Sequence, residues 1–164
     1  MDAEQVRLAK YELAARMART NMLSFMQWVW WMPSTSPFII GRHTRAICDR
    51  ITQAVNDFRH GKSTYLLIDV PFRHGKSDIV SRALPAFFLG RNADMMPSVI
   101  MSGYGDDLVS GFSKDCKNIM QSEAYQQLYP DVRPDPKDNS INSWRVKGSK
   151  RIVSVAGISG GITG

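Results

Sequence analysis

Between Thr64 and Gly90 the chain runs TYLLIDVPFRHGKSDIVSRALPAFFLG, passing from a short apolar run through Gly-Lys-Ser into a helical pattern. Few folds accept that order. Thr64 to Val70 is rich in apolar and β-branched residues, which predicts a buried parallel strand that stops at Pro71. Ile79, Val80, Ala83, Leu84, Phe87 and Phe88 then recur at helical spacing until Gly90, a candidate C-cap. Strand, Gly-Lys-Ser and helix together are the context that a phosphate-binding loop requires. Gly75 would let the backbone approach phosphates, and the amides and dipole of the following helix would favour their charge. Lys76 would reach the β- and γ-phosphates of ATP, and Ser77 would ligate Mg²⁺. The pattern departs from GxxxxGK[ST] at its first position, which is Val70.

The hexapeptide FRHGKS occurs twice, at 58–63 and at 72–77. The first copy follows an amphipathic helix and precedes an apolar run, so no helix N-terminus follows it. Gly61 there reads as a helix cap, and Lys62 as a solvated cation near a helix C-terminus. The second copy has the neighbours the motif demands, and the nucleotide site is expected there.

The 164 residues suit about one domain, and 43% hydrophobic content is enough to bury a core. A net charge of +6 permits a polyanionic partner without requiring one, since a nucleotide is itself an anion. Cys48 and Cys116 sit in helical patterns with no metal-ligand spacing, which predicts buried, reduced thiols. The N-terminus lacks the pattern of a signal peptide, and the apolar run 22–32 is interrupted and short for a bilayer. A soluble, intracellular protein is expected.

In chain order, residues 3–19 predict a helix with Val6, Ala9, Leu13 and Met17 on one face. Its bases Arg7, Lys10, Arg16 and Arg19 could touch a nucleic-acid backbone or form a solvated face. Asn21 could cap a second helix carrying Phe25, Trp28, Val29 and Trp31. Residues 32–37 read as a loop. A helix over 44–58 presents Ile47, Ile51, Ala54, Val55 and Phe58. His43, just ahead of it, could contact an adenine with Phe38 or Ile40 packing on the base, or could be structural. Ser98–Ser102 predicts a second buried strand, and a helix begins near Asp106. Residues 130–142 read as irregular, and 143–146 with 151–156 as a hairpin. The order predicts an α/β layered domain with its ligand at the carboxyl ends of the strands.

Taken together, four stretches resemble the N-terminal ATPase portion of the large subunit of tailed-bacteriophage terminases. Pro71–Ser77 is similar to that family's Arg-containing phosphate loop, which also tolerates the missing first Gly. Ser81–Gly90, with its interior Pro85, is similar to the following helix. Ser102–Leu108 is similar to its Ser-Tyr-Ser-x-Asp-Leu segment, and Gly160–Gly164 to the Gly-rich stretch ahead of its Walker B strand. The resemblance runs from about residue 22 to the end of the sequence.

What the resemblance implies is a P-loop NTPase-type layered domain with a mainly parallel central sheet, incomplete at its C-terminal end. Residues 1–37 would form a helical segment and 38–164 a partial ATPase domain. The family's motor hydrolyses ATP to drive double-stranded DNA through a portal protein into a procapsid. It works with a small terminase subunit, as a homo-oligomeric ring in the host cytoplasm, with a nuclease half in its C-terminal region. Carried over, Gly75, Lys76 and Ser77 would hold phosphates and Mg²⁺, flanked by Phe72, His74 and Asp78, and His43 would lie at the adenine. Arg73 would stabilise charge at the γ-phosphate, or else pair with Asp69 or Asp78.

Two residues depart from the family. Phe72 stands where many members have a second Pro, and Asp69 would put a carboxylate inside a buried strand. The Walker B acids are not in the sequence, so little turnover is expected from these residues alone. A helicase-like translocase and a non-catalytic nucleotide-binding or assembly module stay open as alternatives.

Overall fold

The computed structural model describes residues 2–31, 39–149 and 152–157, without the side chains of Trp31 and Asn139. It divides into two compact units, 1–75 and 76–164.

The described secondary structure of the first unit is helical. Helix α1 (Ala3–Thr20) opens with a reciprocal capping box: Asp2 Oδ1 accepts from the Gln5 N–H at 2.7 Å, and Gln5 Oε1 accepts from the Asp2 N–H at 3.1 Å. Asn21 ends α1 and caps α2 (Met22–Met26) by accepting from the Ser24 N–H at 3.0 Å. This helix continues as a π-helical turn, Gln27–Trp31. Met22, Phe25, Met26, Trp28 and Val29 are buried in this unit, as are Ile47, Cys48, Ile51 and Val55 of α3 (Arg42–Arg59). Each large apolar side chain removed from water this way contributes roughly 1.5–3 kcal/mol. The Thr52 hydroxyl joins α2 to α3, accepting from the Met22 N–H at 3.0 Å and donating to Cys48 O at 2.8 Å.

Two expectations fail in this unit. Thr64–Val70 is not a strand: it carries no regular secondary structure, with Tyr65 97% and Leu67 94% exposed. Strand formation needs a neighbouring ladder, and the other described elements of its unit are helices. Asp69 is correspondingly exposed, so no buried carboxylate needs a partner. The packing face of α1 also differs. Ala15 and Ala18 are buried and Tyr11 meets Trp28 at 4.9 Å between centroids, while Leu13 and Met17 are exposed.

The second unit is α/β. A π-helical turn, Asp78–Ala83, leads into α4 (Leu84–Arg91) with Pro85 in its first turn. The helix is continuous there, since the Leu84 N–H still donates to Ile79 O, so the N–H that Pro85 lacks leaves out one helical bond beside the π-helical turn. Strand β1 (Val99–Gly103), α5 (Asp106–Gln121), α6 (Glu123–Leu128), β2 (Pro134–Asn139), β3 (Ser143–Val146) and β4 (Ile152–Gly157) follow. The sheet order is β1-β4-β3-β2. The sheet is mixed, which corrects the expectation of a mainly parallel one: β1 and β4 are parallel, but β4–β3 and β3–β2 are antiparallel. The reason is the short connection through Lys147, Gly148 and Ser149, with Gly148 at φ 69°, which can join only antiparallel strands.

Strand β2 replaces part of the expected irregular segment. It lies at the sheet edge, where Pro134 and Pro136 need not donate to a ladder. Helix α5 covers the sheet with Val109, Cys116 and Met120, against Met101, Trp144, Val153 and Val155. Trp144 donates from Nε1 to Ser113 Oγ at 3.0 Å, and that hydroxyl donates to Ile141 O at 2.8 Å. Gly90 is not a cap. It is buried in α4, where a Cβ would lie 2.5 Å from Tyr129 Cδ2, and Asn92 ends the helix by donating to Phe88 O at 2.8 Å.

Candidate phosphate-binding loop

The first FRHGKS copy ends α3 in a Schellman motif. Gly61, at φ 73°, donates to Phe58 O at 2.9 Å, and the Lys62 N–H donates to Asp57 O at 2.9 Å. Its amides are therefore engaged with carbonyls of the helix they close. Lys62 Nζ lies 4.0 Å from Asp57, largely in water. Gly61 as a cap and Lys62 as a solvated cation match the reading of the sequence.

The second copy crosses the junction of the two units, Gly75 ending one and Lys76 opening the other. In the first unit, Arg73 and Gly75 both take positive φ, 63° and 75°. Left-handed residues at alternate positions, with ordinary residues between, can turn successive backbone amides toward one side, the geometry of an anion-binding nest. Arg73 has no glycine's freedom at that φ, which costs on the order of 1 kcal/mol. Phe72 is 98% exposed, Arg73 and His74 are exposed, and Gly75 is half-buried. The His74 Nδ1–H donates to Phe72 O at 2.8 Å, closing a local turn.

His43 is brought to this loop. Its ring meets that of His74 edge-on with centroids 5.4 Å apart. Its Nε2 lies 3.3 Å from the hydroxyl of buried Thr44. Gly41 makes room for it, since a Cβ there would lie 2.7 Å from His43 Cε1. The role of Gly41 was not legible beforehand; a glycine two residues ahead of a histidine at a helix start is its one signal.

In the second unit Lys76 is exposed and Ser77 half-buried at the start of a helix. Asp78 is engaged: Arg82 binds it, binds Asp115 from Nε at 2.7 Å, and stacks over Phe112 at 5.1 Å. Burial alone would lower the Arg82 pKa, but the hydrogen bonds it donates to Asp115 and Asp78 outweigh it and hold the guanidinium above its ordinary value. Asp78 thus serves the packing of this unit. Among the described residues no three His, Cys, Asp or Glu side chains could hold a metal together. No described helix is long and apolar enough to cross a membrane. The Gly-rich stretch 160–164 lies outside the described residues. Comparison with family models, curated proteins and solved structures gives no match.

Proposed function

We propose that the 72–77 loop binds the phosphates of ATP, as part of a terminase-like motor that hydrolyses ATP to move double-stranded DNA. A P-loop-type layered domain is the finer fold that goes with this reading. One observation carries it: of two identical hexapeptides, the first engages its amides in closing a helix, whereas the second combines left-handed Arg73 and Gly75 with a helix that follows directly. Lys76 would then meet phosphate oxygens as a point charge, and Arg73 would approach the γ-phosphate. With no acidic cluster in the described residues, Mg²⁺ would arrive bound to the nucleotide, with the Ser77 hydroxyl as a protein ligand. The ion would neutralise charge on the phosphates. His43, beside His74, would meet the base.

Calorimetric titration of Mg·ATP, or a slowly hydrolysed analogue, into wild type, Lys76→Ala and Lys62→Ala tests this. Affinity should fall about tenfold or more in Lys76→Ala and hold in Lys62→Ala, since a charged hydrogen bond is worth roughly 1.5–3 kcal/mol. No binding to folded wild type sinks the reading.

The exposed run through Tyr65, Leu66 and Leu67 favours a second reading, a non-catalytic module that pairs with another chain. Self-association or partner binding without nucleotide affinity would select it.

A further inference from the structure

The chain's histidines are His43, His60 and His74, and two of them meet. The rings of His43 and His74 lie edge-on, with centroids 5.4 Å apart and planes inclined at 73°. Both residues belong to the first unit. His43 is half-buried at the start of α3 and His74 is exposed, so the pair is open to water. His74 stands between Arg73 and Gly75, whose left-handed φ angles of 63° and 75° set its direction. A non-glycine residue held in that region is strained, and such strain gathers where placement matters.

The hydrogen bonds say which nitrogens are bare. The His74 Nδ1–H donates to Phe72 O at 2.8 Å, so Nε2 carries the lone pair of the neutral ring. His43 Nε2 lies 3.3 Å from the Thr44 hydroxyl; when it donates there, Nδ1 carries the lone pair. An imidazole anchored through one nitrogen to an oxygen, with the other nitrogen bare, is the form in which histidine ligates metals. His60 is anchored in the same way, to Asn56 O at 2.7 Å, but among the described residues it meets neither of the other rings. Zn²⁺ sits about 2.0–2.1 Å from each nitrogen at tetrahedral angles, so two imidazoles sharing one ion have centroids roughly 5 Å apart. The observed spacing agrees. We propose that His43 and His74 together bind a divalent transition-metal ion of the class imidazole prefers: Zn²⁺, Ni²⁺ or Cu²⁺. Two protein ligands leave the other positions to water, and the ion clamps the loop at His74 to the start of α3. This ion is distinct from the Mg²⁺ of the nucleotide, which takes oxygen ligands.

Zn²⁺ is titrated by calorimetry into the full chain without nucleotide, beside His43→Ala, His74→Ala and His60→Ala. Wild type should bind one ion, with affinity about tenfold or more lower in His43→Ala and in His74→Ala and unchanged in His60→Ala. Cu²⁺, added to wild type well below equivalence, should broaden the imidazole proton resonances of His43 and His74 together and leave those of His60 sharp. That reading does not depend on any variant folding. Absence of binding overturns the proposal. So does binding that His43→Ala or His74→Ala leaves unchanged, a loss shared by His60→Ala, or broadening of only one of the two rings. With no nucleotide present, failure here leaves the ATP reading of the loop untouched, and a loop without ATP affinity leaves the ion site untouched.

Discussion

His43 lies edge-on to His74, 5.4 Å between ring centroids, and its position depends on the absence of a side chain at Gly41. A Cβ at residue 41 would sit 2.7 Å from Cε1 and 2.9 Å from Nδ1 of His43, closer than any real contact. Gly41→Ala should therefore turn the His43 ring away. The imidazole proton resonances of both His43 and His74 should shift in NMR spectra, with stability changed by less than about 1 kcal/mol, since Gly41 is an N-cap without a capping side chain. An unmoved His74 resonance would mean that the two rings do not meet in solution.

Gly61 offers a second test, free of packing effects. A Cβ there would meet nothing within 4 Å, so the whole penalty of Gly61→Ala is conformational, from φ 73°. That should cost about 1 kcal/mol, read as a lower urea midpoint with an unchanged slope. Gly61→Asn should cost less, because Asn tolerates the left-handed region. Nucleotide affinity should stay as it is in both variants.

The twin hexapeptides show how far a sequence can be read. Six identical residues close a helix at 58–63 and precede one at 72–77, so their neighbours decide. Both outcomes were legible because helical periodicity lies before one copy and after the other. The α1 face was not. Val6, Ala9, Leu13 and Met17 carry more apolar surface than Ala15 and Ala18, yet close approach of a helix selects small residues. Thr64–Val70 has the composition of a buried strand, but composition does not supply a partner ladder. Strand β2 was hidden for the opposite reason: prolines and charges suit an edge that composition alone reads as a loop. Ser122, which caps α6 by accepting from the Tyr125 N–H at 3.2 Å, was a signal passed over.

At the carboxyl ends of the parallel pair, Asp106 Oδ1 accepts from the Gly157 N–H at 2.6 Å. This bond ties the start of α5 to the end of β4. Asp106→Asn keeps an acceptor oxygen and should cost less than Asp106→Ala, which leaves the amide without that partner at a penalty of roughly 1–3 kcal/mol. Gly157→Ala should be at least as damaging as Asp106→Ala, because a Cβ would lie 2.5 Å from Asp106 Oδ1 and 2.9 Å from its backbone nitrogen. Urea denaturation of the three variants gives the order directly. If Gly157→Ala proves neutral, the strand end and the helix start are not held this closely.

Each unit contains one buried thiol, and the pair predicts both reactivity and a pH dependence. Burial, with the Asp49 carboxylate adding to it, pushes the Cys48 thiol from 9.0 up to about 12. Burial does the same for Cys116, also to about 12, against the opposing pull of Lys117. At pH 8 neither native thiol should react with an aromatic disulfide reagent within minutes, and both should react once guanidinium unfolds the chain. The sign of the linkage follows from proton counting. Above the ordinary thiol value of 9.0 the unfolded chain loses protons that the native chain keeps until about 12. Stability should therefore fall as pH rises through that window, by up to about 1.4 kcal/mol per pH unit for each thiol. Cys48→Ala with Cys116→Ala should remove this component of the alkaline slope. A rapid native reaction at either cysteine, or an alkaline slope that the double variant leaves unchanged, would show that these thiols are open to water.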